Sequence, residues 1–535
     1  MIAFDNFPVV YFVFGYFLAT AVGLLACWKH IKQQELLFLI AAGLLIIIMR
    51  LPILVFNQEI NPDESQMIAH ALTLNQFPIY WQSVDGTTIG PLDNYLLLIP
   101  RFFGLPFDYT SARLMGLLCV LGSLGFFYLS LKNFFGNITA RIGLLPALFL
   151  LTFTQDGDFV HYSSEQLPLL LLNVGLWLLS TLSDNFSLKR LFLLGFVLGM
   201  SPFAKIQVVP QAAVIGLFAL VFTYQSHHLP KKVGILIAGG LAFPLTVLLW
   251  AAVYDVLDDF WDFYVLGNLI YAGGSSLLDS FLRIPSFFAK SPDFLLFLTG
   301  IGLCALLLFF TRFWKQNCAI PFNFREHIFG FTMGGLLASL YAATKSGNDF
   351  VHYLNFCIYP FALLGAFIIA KISHSPKQIY LSALLIILPF FVSFGYKTIK
   401  HQPLNMYLST ADHRVPQSKV SQLILKHAHA GEQLVVWGWM CKYHVETQMP
   451  QGAAESHFER CIYQSTMRSK YYQGLLDDLK INQPKVFVDA VGPNCLWLND
   501  RTTQAHEVFP ELSALIRMNY TFVGEVQNTR VYTRK

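Results

Sequence analysis

Acidic side chains gather where the second long apolar run of the sequence ends, near residue 56. They are Asp63, Glu64, Asp85, Asp93 and Asp108. An ionisable group at the end of an apolar span is energetically unfavourable, so its presence there indicates a functional role. A partly desolvated carboxylate can hold its pKa near neutrality and take a proton from an attacking hydroxyl group. The segment therefore predicts a general base, Asp63, with Glu64 as a secondary catalytic group and with Asp85 and Asp93 as substrate ligands.

Asp63 and Glu64 lie at the start of a predicted helix. Pro62 suits the first turn, and Met67 and Ala71 recur at helical spacing among polar residues. We expect a short amphipathic helix that lies along the membrane surface and carries both acids in its first turn. Acids in a first turn also stabilise a helix through its dipole, so a capping role is the alternative.

Two basic side chains follow the acids. Arg101 and Arg113 stand near the start of the next apolar run. A guanidinium group at the membrane boundary can hold a lipid phosphate through paired hydrogen bonds. The alternative is a nonspecific contact with lipid head groups. Both arginines are therefore candidates for binding the phosphate of a substrate.

Two further polar segments precede apolar runs. Residues 155–165 include Asp158 and Glu165, and residues 346–353 end in His352 and Tyr353. An acid at the mouth of an apolar helix needs a partner or a substrate, and His and Tyr offer hydrogen bonds to a polar head group. These four residues are predicted to bind substrate. A solvated turn and a structural histidine are the alternatives.

Cys441 and Cys461 lie close together near the C-terminus. With His444 and His457 they would supply four zinc ligands. The topology given below places this segment outside the cytoplasm, where thiols oxidise. A disulfide between Cys441 and Cys461 is therefore favoured over a metal.

The chain that positions these residues is mostly apolar. Of its 535 residues, 55% are hydrophobic and 13% are charged, and the mean hydropathy is +0.52. A soluble globular protein is much less apolar. The formal net charge of +4 comes from scattered basic residues, which form no clustered basic face for a nucleic acid. The sequence predicts a polytopic α-helical membrane protein without a nucleic-acid partner.

Apolar runs long enough, or nearly long enough, to cross a bilayer recur through the first 400 residues. They fall at about 9–28, 36–56, 110–131, 141–154, 166–182, 191–224, 233–253, 293–311, 328–343, 350–370 and 379–396. The run at 191–224 is roughly twice one span, and we interpret it as a helical hairpin. This gives about twelve transmembrane helices.

Basic residues mark one side of this arrangement. Lys132, Lys189, Lys231 and Lys371 fall in loops on the same side, which the positive-inside rule assigns to the cytoplasm. A single crossing at 191–224 would place Lys189 and Lys231 on opposite sides, so the charges favour the hairpin. Both termini and the loops that carry the acids are thus predicted to lie outside the cytoplasm.

The composition becomes polar after residue 400. Short apolar runs at 433–439 and 485–490 and a closing pair near 520–531 are typical of strands, and 465–479 has helical spacing. We therefore expect a multispanning domain over 1–400 with a catalytic first outer loop at 57–109. A small extracytoplasmic α/β domain is expected over 401–535.

Four short motifs of this sequence together resemble those of the GT-C membrane glycosyltransferases. They are Pro62-Asp63-Glu64 after a span, Gly90-Pro91-Leu92, Ser111-Ala112-Arg113 at the start of the next span, and Phe350-Val351-His352-Tyr353 before a late one. Within that group the sequence is similar to the bacterial branch that includes the protein O-mannosyltransferases and the lipid A aminoarabinose transferase. The similarity covers roughly residues 30–400.

The resemblance implies a glycosyltransferase of the bacterial inner membrane with its chemistry on the outer face. Such enzymes move a sugar from a polyprenyl-phosphate donor, generally with inversion, and use an aspartate of the first outer loop. That aspartate corresponds to Asp63. Lys205 stands where many members have a lysine, so it joins Arg101 and Arg113 as a candidate for the donor phosphate.

The sequence departs from the family at two places. Where members commonly have Lys-Pro-Pro-Leu, this chain has Ile89-Gly90-Pro91-Leu92 and lacks the lysine. A family aspartate after the second outer loop appears as Glu165, which keeps the charge on a longer side chain. Other cations must then hold the donor phosphate, or the donor binds differently.

The implied partners are a polyprenyl-phosphate sugar, an envelope glycan, lipid or protein as acceptor, and membrane lipids. No cofactor is indicated, and dependence on a divalent metal stays open. A flippase or transporter of lipid-linked saccharides is the second interpretation, which Arg50 and the interruption around Lys205 favour. A polysaccharide polymerase or ligase is the third. A large basic outer loop would favour it, whereas residues 255–290 are acidic and aromatic.

Overall fold

Long helices make up most of the chain. The computed structural model describes residue 4 and residues 6–28, 34–182, 186–224, 229–274, 276–313, 325–372, 375–407 and 414–535. The long helices are Pro8–Cys27, Gln34–Val55, Tyr109–Phe135, Asn137–Phe153, Gln166–Thr181, Leu188–Met200, Val209–Thr223, Leu229–Val253, Pro292–Phe313, Arg325–Thr344, Asn355–Ile372 and Pro376–Ile399. Each coincides with a predicted span, so the polytopic helical fold is confirmed.

Seven helices among the described residues are apolar enough to cross a membrane and contain 20 to 27 residues. A span needs about 20 apolar residues because the hydrocarbon core is about 30 Å thick. Three shorter apolar helices accompany them: Asn137–Phe153, Gln166–Thr181 and Ile206–Phe222. By length and composition the chain is a multi-pass membrane protein.

The segment 191–224 contains two helices, as the predicted hairpin requires. The helices Leu188–Met200 and Val209–Thr223 are joined by two 3-10 turns, Ser201–Phe203 and Ile206–Val208. Pro202 lacks the backbone N–H that would continue the first helix. The interruption leaves Lys205 between the two turns.

Glycines bring two helices of this region close together. A Cβ on Gly199 would lie 2.2 Å from the carbonyl oxygen of Gly240, and one on Gly195 would lie 2.3 Å from that of Leu236. Small residues at such contacts let helices pack backbone against backbone in a membrane. Any larger side chain at Gly199 would force the helices Leu188–Met200 and Leu229–Val253 apart.

Short helices occupy the connections. The predicted first outer loop, which we call the first outer segment, contains Pro62–Leu74, Pro91–Leu96 and Ile99–Phe102, and the predicted second outer loop contains Gly157–Val160. Later connections contain Leu257–Asp259, the π-helix Phe260–Leu266, Gly267–Ala272, Leu277–Leu282, Ile284–Ala289 and the 3-10 turn Val351–Leu354.

Internal contacts divide the chain into two compact units. The helical unit comprises Met1–Val55, Gly116–Val247 and Tyr271–Ala411, and the mixed unit comprises Phe56–Met115, Leu248–Ile270 and Asp412–Lys535. The mixed unit thus contains both the segment with the predicted base and the C-terminal residues. The predicted domain boundary between residues 400 and 401 stays a prediction.

A four-stranded sheet lies at the centre of the C-terminal part. Strand β1 (Leu434–Trp437) pairs in parallel with β2 (Val486–Asp489), β2 pairs antiparallel with β4 (Thr529–Arg534), and β4 pairs antiparallel with β3 (Tyr520–Val526). The turn between β3 and β4 has positive φ at both Gln527 and Asn528, as a two-residue hairpin prefers. These strands match the predicted ones.

Helices surround this sheet. They are Lys419–Leu425, Lys442–Thr447, Glu459–Ile462, Arg468–Asn482, Arg501–Gln504, the 3-10 turn His506–Val508 and Pro510–Asn519. Every residue of β1 and β2 is buried. Val435 and Phe487 belong to one apolar core, and Val436 and Val488 belong to the other. Burial on both faces explains why these strands are continuous apolar runs in the sequence.

The helix Pro62–Leu74 is buried on all sides, so the prediction of an amphipathic surface helix is wrong. All of its residues from Glu64 to Leu74 are buried. The C-terminal residues cover its polar face, and Gln451 N donates to Thr73 Oγ1 at 2.9 Å. A polar helical face predicts contact with polar groups, and here protein groups rather than water supply that contact.

Candidate active site

Asp63 stands at the capped N-terminus of the helix Pro62–Leu74. The side chain of Asn61 accepts a hydrogen bond from Asp63 N at 2.9 Å, and Pro62 occupies the first helical position. Asp63 is partly exposed. Its carboxylate has no hydrogen bond or ion pair within the part of the chain that the structure describes. The helix dipole favours a negative charge at this position, so Asp63 is an accessible anion on a fixed backbone.

Glu64, the next residue, has the opposite environment. It is fully buried and holds a two-pronged pair with Arg113: Nε donates to Oε1 at 2.9 Å and Nη2 to Oε2 at 2.6 Å. Arg113 also donates to the carbonyl oxygens of Phe56 and Gln58. This pair ties the start of the outer segment to the helix that carries Asp63. The pair therefore occupies both side chains, and the catalytic role of Glu64 and the phosphate-binding role of Arg113 stay predictions.

The other acids of the first outer segment are occupied or buried. Asp108 accepts a hydrogen bond from Asn57 Nδ2 at 2.8 Å. Asp85 holds an ion pair with Arg460, and Asp93 is fully buried. No contact among the described residues joins Asp85 or Asp93 to Asp63. Their predicted role as substrate ligands stays a prediction.

Arg101 is the exposed cation of this segment. It lies in the short helix Ile99–Phe102, beside Phe102 and Phe103, which are 85% and 79% exposed. Its guanidinium group forms no ion pair or hydrogen bond with the described residues. An exposed cation among exposed aromatic rings suits the interface between lipid and water.

Glu459 is a candidate that the sequence analysis missed. It begins the short helix Glu459–Ile462 and is partly exposed. Burial raises the pKa of Glu459 to about 7, and the charges of Glu455 and Asp63 act in the same direction against Arg460. Its proximity to Asp63 depends on a long-range contact that no local pattern encodes. Perturbed carboxyl groups of this kind cluster at functional sites.

A second group of predicted residues meets inside the helical unit. Glu165 is fully buried and forms an ion pair with Lys205 Nζ, which also donates to Ser164 Oγ at 2.6 Å. Glu165 precedes the helix Gln166–Thr181, and Lys205 lies in the interrupted hairpin. Burial alone would raise the pKa of Glu165, but the charge of Lys205 holds it below its usual range. Glu165 Oε2 has no hydrogen-bond partner among the described residues.

His352, Tyr353 and Asp158 complete this group, which we name the acid–lysine cluster: Asp158, Glu165, Lys205, His352 and Tyr353. The Tyr353 ring centroid is 5.3 Å from Lys205 Nζ. His352 Nδ1 lies 3.9 Å from Asp158 Oδ1. Residues from three distant parts of the sequence are thus brought together, as a shared binding role would require.

The thiols of Cys441 and Cys461 are free, so the structure does not contain the predicted disulfide. Both are buried, and each donates to a different acceptor: Cys441 Sγ to Ser456 O at 3.5 Å and Cys461 Sγ to Glu455 Oε2 at 3.2 Å.

Among the described residues, one group of acids and histidine has the spacing of metal ligands. It consists of Asp489, His506 and Glu507. His506 Nδ1 lies 2.5 Å from Asp489 Oδ2, and Arg530 pairs with both acids. A guanidinium group already satisfies these carboxylates, which favours an ion-pair network over a metal site.

Comparison with known proteins gives a structural match only. No protein-family model matches the sequence, and no curated protein matches it. ArnT from Cupriavidus metallidurans bound to undecaprenyl phosphate aligns over 94% of this chain and 98% of its own, with a TM-score of 0.56 and 11% identity. Its apo state aligns over 92% and 97%, with a TM-score of 0.53 and 11% identity. The Archaeoglobus fulgidus oligosaccharyltransferase covers 85% of this chain and 68% of its own, with a TM-score of 0.43 and 11% identity.

ArnT, the lipid A aminoarabinose transferase, belongs to the GT-C class that the sequence motifs resemble. Its alignment extends over nearly the whole length of both chains. At this sequence identity the match concerns the course of the backbone. The chain therefore has the fold of the GT-C glycosyltransferases.

Proposed function

We propose that this protein is a membrane glycosyltransferase. It moves a sugar from a polyprenyl-phosphate-linked donor to an envelope glycan, lipid or protein at the outer face of the bacterial inner membrane. The GT-C fold supports the class of reaction. The isolated, accessible carboxylate of Asp63 carries the assignment of the base.

That observation is selective because the neighbouring acids differ. Glu59 accepts a hydrogen bond from Ser65, Glu64 pairs with Arg113, and the other acids of the segment are bonded or buried as described above. A general base needs a carboxylate that a substrate hydroxyl can reach. Among the described acids of this segment, Asp63 is the one that is partly exposed and keeps its oxygen atoms unbonded.

The reaction follows as one displacement. The acceptor hydroxyl oxygen attacks the anomeric carbon, its proton passes to the carboxylate of Asp63, and the bond from that carbon to the phosphate oxygen breaks. Polyprenyl phosphate leaves with the bonding electrons. One displacement inverts the anomeric configuration. Near neutral pH a share of Glu459 is protonated because its pKa is about 7, so it can donate a hydrogen bond to a substrate oxygen beside the base.

Arg101 is the preferred contact for the donor phosphate. Arg113 and Lys205 already hold buried acids, and freeing either would leave an uncompensated charge. Arg101 is exposed and flanked by Phe102 and Phe103. Its guanidinium group can form paired hydrogen bonds with a phosphate while the rings contact the lipid chain.

An open apolar cavity in the helical unit offers contact surface to part of a polyprenyl chain. It has an empty volume of about 490 Å³ and lies among the helices Gln166–Thr181, Val209–Thr223, Arg325–Thr344 and Asn355–Ile372. Leu169, Leu172, Ile215, Phe331 and Leu363 line it. Apolar side chains of this kind bind hydrocarbon by removing it from water.

The acid–lysine cluster supports a role in binding sugar hydroxyl groups. Its buried polar atoms include Glu165 Oε2, which has no partner among the described residues. A buried carboxylate oxygen without a partner is costly. Hydrogen bonds from a substrate would remove that cost.

A flippase remains the second candidate. Buried charges on interrupted helices are typical of transporters, and the pair of Lys205 and Glu165 has this placement. Arg50 is a weaker argument because its Nε donates to the Leu151 carbonyl oxygen at 2.8 Å and serves the structure.

Mass spectrometry of envelope lipids, glycans and proteins tests the proposal. A deletion strain is complemented with the wild type, with Asp63→Asn or with Asp477→Asn, which changes an exposed acid of the mixed unit. We expect a glycosylated species that the deletion and Asp63→Asn lose and that Asp477→Asn retains. If the protein is a flippase, the deletion strain should lose transport of the lipid-linked saccharide, and the purified protein should transfer no sugar. An unchanged profile of envelope glycans, lipids and proteins in the deletion strain would contradict both functions.

A further inference from the structure

A cavity lined by aromatic and acidic residues lies within the mixed unit. Its empty volume, which includes the open mouth, is about 610 Å³. We name it the aromatic–acidic cavity after its main residues: Trp81, Asp85, Asp259, Phe263, Tyr471 and Asp478. They come from all three parts of the mixed unit: Trp81 and Asp85 from the first, Asp259 and Phe263 from the second, and Tyr471 and Asp478 from the third.

Trp81 has an unusual conformation in this wall. Its φ is +66°, a left-handed value that is rare for a bulky residue. The side chain is 2% exposed, and its Nε1–H has no acceptor among the described residues. An edge contact with Phe260, at 4.9 Å between ring centroids, holds the indole in place. Strained residues of this kind concentrate at functional sites, and a buried N–H without an acceptor favours a ligand that supplies one.

Aromatic rings form a second part of the wall. Phe263 stacks on Tyr471 with 5.4 Å between centroids and an interplanar angle of 23°. Phe263 belongs to the π-helix Phe260–Leu266, a geometry that is rare and frequent at functional sites. Both rings line the cavity. The Arg460 guanidinium group lies over the buried Tyr471 ring, 4.2 Å from its centroid, so the partly exposed Phe263 offers more open apolar surface than Tyr471.

Carboxylates supply hydrogen-bond acceptors. Asp478 is partly exposed, and its Oδ2 accepts from Ala454 N at 2.9 Å. Asp85 is paired with Arg460, while Asp259 is partly exposed in the wall. Burial raises the pKa of Asp478 to about 7, with Asp85 and Asp259 adding repulsion. At neutral pH the carboxyl group of Asp478 can therefore both accept and donate hydrogen bonds.

We propose that the aromatic–acidic cavity binds a saccharide. A sugar ring presents an apolar face to an aromatic side chain and hydroxyl groups to carboxylates and to the Trp81 N–H, and this cavity offers each of these. The residues that line it, within the part of the chain that the structure describes, include no Lys or Arg, so a phosphate would lack a cationic partner there. The described residues of the cavity include no group of three acids or histidines at metal-ligand spacing, so a bound cation fits less well.

The cavity has the composition of an acceptor site more than of a donor site, because a donor brings a phosphate. The identification of the saccharide as part of the acceptor rests on the proposed function. Saccharide binding itself does not, since it requires only the cavity. The two can therefore fail separately.

Saturation-transfer NMR on the full chain in phospholipid nanodiscs tests the binding. The nanodiscs must be free of alkyl maltosides, which are saccharides themselves. The probes are the methyl glycosides of glucose, mannose, galactose and N-acetylglucosamine, titrated at pH 7. We expect saturable binding of at least one, weakened about tenfold in Trp81→Phe and in Asp478→Asn, the equivalent of one lost hydrogen bond.

Trp497→Phe is the matched control, since Trp497 is 47% exposed and does not line the cavity. It should bind within twofold of the wild type. Asp478→Asn keeps the size of the side chain and serves if Trp81→Phe does not fold. The proposal would be overturned if no glycoside binds saturably, or if Trp81→Phe and Asp478→Asn both bind as tightly as the wild type. Saturable Ca²⁺ binding without glycoside binding would show a cation site instead.

Asp63→Asn separates this inference from the proposed function. It should abolish transfer and leave glycoside binding unchanged. Binding that persists in a protein without any transferase activity would refute the function and support the cavity. Transfer that continues in the absence of glycoside binding would refute the cavity alone.

Discussion

Two adjacent acids, Asp63 and Glu64, should respond in opposite ways to removal of their charge. Asp63 is partly exposed, and no hydrogen bond or ion pair to its carboxylate lies within the described residues. Glu64 is fully buried against Arg113. The amide substitutions Asp63→Asn and Glu64→Gln preserve size and remove only the charge. The first should damage the reaction and the second should damage the fold.

For Asp63→Asn the structure predicts a small loss of stability. The cap depends on the side chain of Asn61 and on the backbone of Asp63, and both remain. The lost interaction with the helix dipole is worth about 0.3–1 kcal/mol. Loss of a general base lowers turnover by about 10²–10⁴. At about 1.4 kcal/mol for each tenfold change, this raises the activation free energy by roughly 3–5 kcal/mol.

For Glu64→Gln the expected damage is structural. Removing one partner of a buried ion pair costs about 3–5 kcal/mol, because Arg113 keeps a buried charge without its counterion. In a domain of about 150–250 residues a loss of this size lowers the unfolding temperature by roughly 6–20 °C. Any loss of activity in Glu64→Gln should be proportional to the loss of folded protein.

The measurement combines two readouts on the same purified samples. Intrinsic fluorescence gives the unfolding temperature in nanodiscs, and mass spectrometry gives the glycosylated product per folded protein. Asp477→Asn should leave both unchanged. The reasoning is refuted if Asp63→Asn transfers sugar at nearly the wild-type rate while Glu165→Gln abolishes transfer. An unchanged unfolding temperature in Glu64→Gln would refute the account of the buried pair.

Three further predictions concern the mixed unit and the topology. The folded-state pKa of Glu459 is about 7, against an ordinary 4.5, so the folded form keeps a proton that the unfolded chain releases between about pH 4 and 7. The stability from this proton is lost as pH rises through that window. The unfolding temperature of Glu459→Gln should therefore rise relative to that of the wild type from pH 4 to 7. A difference in unfolding temperature that does not change with pH would contradict the raised pKa. Both Cys441 and Cys461 should react with a thiol reagent in denaturant without prior reduction, and a crosslinked peptide in non-reducing mapping would restore the disulfide. Alkaline phosphatase fused after Lys535 should be active, and a fluorescent cytoplasmic reporter at the same place should be dark; the reverse pattern would overturn the predicted sidedness.

Local patterns in the sequence predicted the secondary structure well. Apolar length placed the spans, because a bilayer demands about 20 apolar residues whatever their partners. Short apolar runs predicted β1 to β4, and burial on both faces explains the continuous apolar character of β1 and β2. The charges flanking 191–224 predicted a hairpin, and the structure has two helices there. In each case the physical demand lies within a few neighbouring residues.

Residue roles were harder to predict, because they depend on what each side chain meets. Asp63 and Glu64 are adjacent acids that were both predicted to be catalytic, yet one is accessible and the other pairs with Arg113, 49 positions away. Arg101 and Arg113 also looked alike, and only the first is exposed. Cys441 and Cys461 show the same limit, because the predicted compartment favours a disulfide, whereas both thiols are free in the structure and donate to different acceptors.

The sequence by itself determined a helical membrane protein with a cluster of acids after its second apolar span and a small C-terminal sheet. Only the tertiary structure decided which acids keep a free carboxylate, that the C-terminal residues cover the helix Pro62–Leu74, and that Trp81 lines a cavity with Asp478. The physical reason is range. Apolar length and helical or strand period act between neighbours, whereas ion pairing, desolvation and cavity shape arise from residues hundreds of positions apart that meet only after folding.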